Sequence, residues 1–177
     1  MQKLNKWIPL FIVIISIGIF ATLISRNESI LARGQSIFVS LQPVDPRSIL
    51  QGDYMALRYE LNIKGSIPEG RRLRAYVKLN ALGIVAETRF NIQNVSHTGD
   101  WSALLLKQVP HQNSFYPVAN SFLFAEGLAD CYSKAKFAEF KVIKTGDAIL
   151  SRLTDEHLKS LRCEEQQRWM DGSSLTE

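Results

Sequence analysis

The stretch Pro43-Val44-Asp45-Pro46-Arg47-Ser48-Ile49-Leu50-Gln51-Gly52-Asp53-Tyr54-Met55-Ala56-Leu57-Arg58-Tyr59 decides how the chain is read. Its two prolines stiffen the first part into a loop, because each fixes φ and lacks an amide donor. From Met55 the pattern alternates: Met55, Leu57, Tyr59, Leu61 and Ile63 share one face, while Tyr54, Ala56, Arg58, Glu60 and Asn62 share the other. A period of two predicts an antiparallel strand with one buried and one wet face. Gly52-Asp53 reads as the turn that enters it, since glycine tolerates positive φ and an Asp side chain bonds nearby amides. Leu57 and Tyr59 are therefore expected in the core. Tyr54 falls on the polar face with Arg58, just after the loop that carries Asp45 and Arg47. The candidate binding residues are Asp45, Arg47, Gly52, Asp53, Tyr54 and Arg58.

Toward the N-terminus, Trp7 to Ile24 is an uncharged run of 18 residues. As a helix it spans roughly 27 Å, close to the hydrocarbon core of a bilayer. Lys6 and Arg26 bracket it, Trp7 sits where an interfacial aromatic belongs, and Pro9 lies in the first turn, where a missing donor costs least. A cleaved signal peptide competes with a retained anchor. The run exceeds a usual signal core, and neither Ala21-Thr22-Leu23 nor Ile30-Leu31-Ala32 makes a small-x-small cleavage site, so a retained anchor is the preferred reading. Lys3 and Lys6 with the free amine outweigh Arg26 and Arg33 offset by Glu28, which points the N-terminus to the cytoplasm. Gly18, Ala21 and Thr22 form a loose small-residue face. No charge inside the span marks a transport pathway. The expected organisation is a cytoplasmic stub and anchor over 1–25, a connector over 26–34, an extracytoplasmic β-rich domain over 35–169 and a disordered tail over 170–177.

Toward the C-terminus, Ile37, Val39 and Leu41 alternate in a first strand that Pro43 ends. Leu73 to Leu79 and Ile84 to Phe90 predict a hairpin around Asn80-Ala81-Leu82-Gly83. Trp101 to Val109 and Ser121 to Ala125 predict two further strands. Leu128, Cys131, Tyr132 and Ala135 recur at helical spacing, so a helix is expected over Gly127 to Phe137. Ala138 to Val142 and Ala148 to Leu153 predict a second hairpin about Lys144-Thr145-Gly146-Asp147. Thr154 before Asp155 and Glu156 predicts a last helix to Arg162. The fold class is thus α+β and mainly antiparallel β, a sandwich or partly open barrel with two short C-terminal helices, preceded by one N-terminal transmembrane helix. Gly-Asp recurs at Gly52, Gly99 and Gly146, at intervals of 47 residues. The flanks do not match, so turn chemistry reused before strands explains it better than a repeat.

The chain has 177 residues and a net charge of +4, of which Lys3 and Lys6 supply two. A remainder near neutrality argues against a nucleic-acid partner. Arg71, Arg72 and Arg74 form one basic cluster, read as a solvated loop beside Pro68-Glu69-Gly70. His97, His111 and His157 lie on separate segments without ligand spacing, so no metal site and no cofactor are expected. Cys131 and Cys163 either form a disulfide in an oxidising compartment or stay as two thiols. The stretch before Gly52-Asp53 faintly resembles that of signal peptidases, but Val44 stands where their nucleophilic serine belongs, and Ser48 reads as a turn or capping residue. No catalytic residue is assigned.

Gly52-Asp53-Tyr54, Leu57 and Tyr59 match Gly-Asp-Tyr-x-x-Leu-x-Tyr without a mismatch. With the anchor, the Pro-Val-Asp-Pro-Arg loop and the Val77-Lys78-Leu79 strand, the chain resembles the GDYXXLXY membrane-anchored proteins. Phe122-Leu123-Phe124-Ala125-Glu126-Gly127, Tyr132 and Phe137-Ala138-Glu139-Phe140 are a looser match to a later segment of that family. The resemblance implies a protein of the bacterial inner membrane that works beside multi-pass membrane proteins, and it implies no catalytic residues. The expected function is a membrane-anchored extracytoplasmic binding domain, an accessory or sensor subunit for a multi-pass partner and not an enzyme. The alternatives are an envelope enzyme centred on Asp45, Asp53 and Glu126, or a passive structural component.

Overall fold

The computed structural model describes residues 8–42, 47–49, 52–91, 101–110, 112 and 114–165. Asp45, His97, Gly99, His111, the lysines before the anchor and the tail over 170–177 lie outside the described residues. The elements in chain order are α1 (Ile8–Arg33), β1 (Gln35–Gln42), β2 (Arg47–Ile49), β3 (Gly52–Ala56), β4 (Arg58–Tyr59), β5 (Arg72–Leu79) and β6 (Val85–Arg89). They continue with β7 (Trp101–Gln108), β8 (Phe115–Tyr116), β9 (Ser121–Phe124), α2 (Ala129–Tyr132), β10 (Phe137–Val142) and β11 (Ala148–Thr154).

Helix α1 is 26 residues long and apolar enough to cross a membrane. It runs on through residues 26–33, so the expected polar connector takes helical form. Those last turns pack on the β10–β11 hairpin: Ile30 is only 5% exposed, against about half or more for most of the large apolar residues earlier in the helix. Gly34 ends the helix, its N–H donating to the Ile30 carbonyl at 2.8 Å. A Cβ on Gly34 would stand 2.5 Å from that same oxygen and 3.0 Å from the Lys141 backbone, so only glycine lets helix and sheet approach this closely.

Three antiparallel sheets follow, ordered β11-β10-β1-β4, β2-β3-β9 and β6-β5-β7-β8. Backbone bonds join the first and last into one curled half-barrel. Phe38 donates its N–H to the Gly83 carbonyl, Glu60 donates to Ser40, and the segment after β4 runs beside β6, with Thr88 donating to Asn62 and Lys64 donating to Thr88. On the far side, Leu105 of β7 donates to Gly146 in the β10–β11 turn at 2.9 Å. Gly146 has φ +89° and lies against the β7 backbone, so it serves both the turn and the closure. Between sandwich and partly open barrel, the structure thus takes the curled form. Its core collects Ile37 and Val39 from β1, Ala75 and Val77 from β5, Leu104 and Leu106 from β7, Phe140 from β10 and Leu153 from β11. Burying one such side chain contributes about 1.5 to 3 kcal/mol.

Both expected hairpins form, with β5 paired to β6 and β10 to β11. Several expectations need correction. Gly52-Asp53, expected as the turn that enters the strand, are themselves the first residues of β3, in register opposite Ile49 and Ser48 of β2. The alternating stretch from Met55 to Ile63 is not one strand: β3 ends at Ala56 and β4 begins at Arg58 in another sheet, because Leu57 donates its N–H to Asn120. The side-chain alternation survives the break, with Met55 and Leu57 buried and Arg58, Glu60 and Asn62 exposed. The helix over Gly127 to Phe137 shrinks to the single turn α2, since Lys136 is drawn into the sheet, accepting from Leu41 and donating to Thr154. One turn fixes several dihedrals for little return, so strand pairing wins there.

The helix after Thr154 is replaced by a tight turn. Asp155 does cap, its Oδ1 accepting from the His157 and Lys159 amides at 2.9 and 2.8 Å. Leu158 then takes φ 60° and the chain doubles back, pairing Ser160 with Thr154. The second short helical piece starts instead at residues 163–165. Finally, Arg72 is already a strand residue of β5, where the preceding loop was expected to reach it.

Candidate interaction surface

The hairpin β2–β3 is built by register. Arg47 stands opposite Tyr54, Ser48 opposite Asp53 and Ile49 opposite Gly52. On its other edge β3 pairs with β9, placing Asp53 opposite Phe124, Tyr54 opposite Leu123 and Met55 opposite Phe122. Residues directly opposite in an antiparallel pair share a face, so Tyr54 and Leu123 form one row across the sheet. Tyr54 is half-buried and Leu123 is 77% exposed. The neighbouring row turns inward: Met55 is buried, and the Phe122 ring packs at 5.1 Å from Tyr132.

An aromatic cluster and a covalent tie brace the sheet from behind. Phe124 lies 5.2 Å from Tyr132 and 6.5 Å from Phe122, spacings at which ring pairs attract. The Tyr132 hydroxyl donates to the Glu164 carboxylate, and burial followed by that bond pushes its phenol pKa up. Beside it Cys131 and Cys163 are disulfide-bonded, with Cα atoms 5.8 Å apart. The two open alternatives for these cysteines are resolved in favour of the bridge, which fastens α2 to the helical turn at residue 163.

The structure places the predicted residues unequally. Arg47, Gly52, Asp53 and Tyr54 come together on the β2–β3 hairpin. Arg58 is exposed on β4, opposite Gln42 of β1, and so belongs to a different sheet from Tyr54. It lines a small cleft with Leu41, Met55, Ser133 and Ala135, whose cavity volume of about 10 Å³ is that of one water at most. Asp45 lies outside the described residues. Glu126 is exposed in the turn after β9, two residues beyond the partner of Asp53. Leu123 escaped the sequence reading, although its flanking Phe122 and Phe124 carried the signal: if both turn inward, the residue between them faces out.

Two further groupings matter electrostatically. Glu139 is 1% exposed on β10, bonded by Arg152 and paired with Lys141 at 3.5 Å. Burial works to raise its pKa, but hydrogen bonds from Ser36 and Arg152 and the charges of Arg152 and Lys141 outweigh it and hold the carboxyl below its ordinary value. At the hairpin turn, Asp147 accepts from Arg26 of α1 at 3.1 Å and from Arg72 of β5 at 3.3 Å. Among the described residues no group of three or more His, Cys, Asp and Glu side chains is placed to hold a metal ion.

Comparison with curated proteins gives no match, and comparison with solved structures gives none. The GDYXXLXY protein family matches over residues 16–153, from inside the apolar helix α1 almost to the end of β11. The match contains the β2–β3 hairpin, the inward tyrosine and leucine of the motif, and the aromatic cluster behind it. The chain belongs to the GDYXXLXY protein family.

Proposed function

We propose that this protein acts by binding, as a single-pass accessory or sensor subunit for a multi-pass membrane partner, with its domain on the extracytoplasmic side of the bacterial inner membrane. The observation that carries this reading is that the anchor is built into the domain. Ile30 is buried under β10–β11, Gly34 abuts Lys141, and Arg26 is paired with Asp147. A leader removed after its apolar run loses these contacts, which supports retention. A helix joined this way also passes a change at the domain into the membrane. The Cys131–Cys163 bridge supports an oxidising compartment. The partner surface is the row Tyr54 and Leu123, beside β2, which among the described residues is a short edge strand and offers backbone groups to an added strand. The test is extraction of tagged full-length protein in mild detergent followed by affinity capture. A multi-pass protein recovered in stoichiometric yield is expected, and its absence across several mild detergents overturns the reading.

A second reading is an envelope enzyme with a hydrolase-like site. What favours it is that the β3–β9 pairing brings Asp53 and the Glu126 turn to the same end of one sheet. Activity profiling of the full chain against Asp53→Asn separates the two. Turnover that disappears in a folded Asp53→Asn protein establishes the enzyme.

A further inference from the structure

The β10–β11 turn collects cations from three parts of the chain. Arg26 arrives on α1, two residues beyond the apolar run that ends at Ile24, and Arg72 arrives at the start of β5; each gives one guanidinium nitrogen to a different oxygen of Asp147. Arg74, two residues on along the same face of β5, donates to the Thr145 carbonyl at 3.0 Å. Lys107 of β7 stands in register opposite Arg72, and Lys144 is exposed in the turn itself. Glu28 on α1 and Glu69 ahead of β5 are the nearest further acids in sequence. Even counting both with Asp147, the five cations exceed the acids at this end.

Two features go beyond a solvated charge run. First, the position is set by the anchor: a 3.1 Å ion pair to Arg26 holds the turn at the level where the apolar span meets water. Second, the arginines are not used up. Arg26 and Arg72 keep 63% and 62% of their side chains exposed, and a guanidinium that gives one nitrogen to a carboxylate retains donors in a geometry matched to phosphate.

We propose that Arg26, Arg72, Arg74, Lys107 and Lys144 form a face that docks on the anionic phosphate headgroups of the bilayer spanned by the protein's own anchor. Asp147 orients the first two arginines, and the domain stands on the membrane surface instead of swinging free on its helix. This inference rests on the anchoring and not on any protein partner.

The experiment places the full chain alone in nanodiscs of phosphatidylcholine, with or without phosphatidylglycerol, and follows amide hydrogen exchange at residues 143–147 and 71–74. Slower exchange in the anionic discs is expected. The double variant Lys107→Gln with Lys144→Gln, which leaves the pairs of Asp147 in place, is expected to shrink that difference by up to roughly five-fold for each cation removed. Equal exchange in the two bilayers, or a difference undiminished in the variant, overturns the proposal. Because the discs contain no other protein, either result leaves the partner reading untouched.

Discussion

The Tyr59 hydroxyl donates a 2.7 Å hydrogen bond to the Ala119 carbonyl, fastening the last residue of the motif to the approach of β9. The ring meanwhile packs at 5.8 Å from Phe140, and burial pushes the phenol pKa up. Tyr59→Phe keeps the packing and loses only the bond, so it is expected to cost about 1 kcal/mol. Leu57→Ala removes buried methyl groups and is expected to cost roughly 2 to 5 kcal/mol. Denaturant unfolding of the full chain in a mild detergent compares the two. Equal losses would show that the hydroxyl has a structural weight its single bond does not explain.

Tyr54 and Leu123 stand opposite each other on the outward row. Tyr54→Ala and Leu123→Asp are expected to weaken partner capture while leaving the unfolding midpoint nearly unchanged for Leu123→Asp, because its side chain is already in water. Quantitative pull-down alongside thermal unfolding checks this. A large loss of folded protein in Tyr54→Ala would make that tyrosine structural.

Cys131 and Cys163 close a loop with a sequence separation of 32 residues. Replacing both by serine is expected to cost roughly 2 to 4 kcal/mol, mainly by freeing the unfolded chain. Non-reducing electrophoresis of protein taken from the membrane reports whether the bridge is formed in place, and thermal unfolding with and without reductant reports its contribution.

Glu139 sets an acid limit. Its folded pKa lies below the unfolded value, so it contributes stability that is complete above the ordinary carboxylate range and is lost as pH falls through the depressed folded value. Stability measured on the acid side is expected to fall more steeply in the native sequence than in Glu139→Gln, which has no proton to gain there. Parallel acid limbs would show that Glu139 is not the group responsible.

Thr88 offers a change of the opposite sign. Its hydroxyl is buried and has no hydrogen-bond partner among the described residues. Thr88→Val keeps the shape and removes the unsatisfied group, so it is expected to raise stability by about 1 kcal/mol. A drop in the unfolding midpoint would reveal a partner for that oxygen.

Legibility followed the range of the interactions. The alternations in β1, β5 and β10 are local facts, and Ile37, Val39, Ala75, Val77, Ala138 and Phe140 are buried where the period of two put them. Leu128 and Tyr132 are also buried at their helical spacing, yet only α2 between them is helix, because Lys136 finds better partners in distant strands. At Thr154-Asp155 a cap was expected from Thr154 at the start of a helix, but Asp155 supplies it and the chain turns back, pairing Ser160 with Thr154. Of the candidate surface, Tyr54 and its hairpin neighbours were visible in the motif. Leu123 became part of it only through the β3–β9 register.

By itself the sequence determined the apolar helix, the β-rich class and both hairpins, since each rests on residues close together in the chain, and the family, since a motif is matched by residue identity whatever the fold. Tertiary structure alone decided that the strand breaks at Leu57, that α1 continues into the domain, and that Arg26, Arg72 and Asp147 meet. The physical reason is that these outcomes depend on hydrogen bonds and charges between segments far apart in sequence, where local pattern carries no information about which backbone or side-chain group will be the partner.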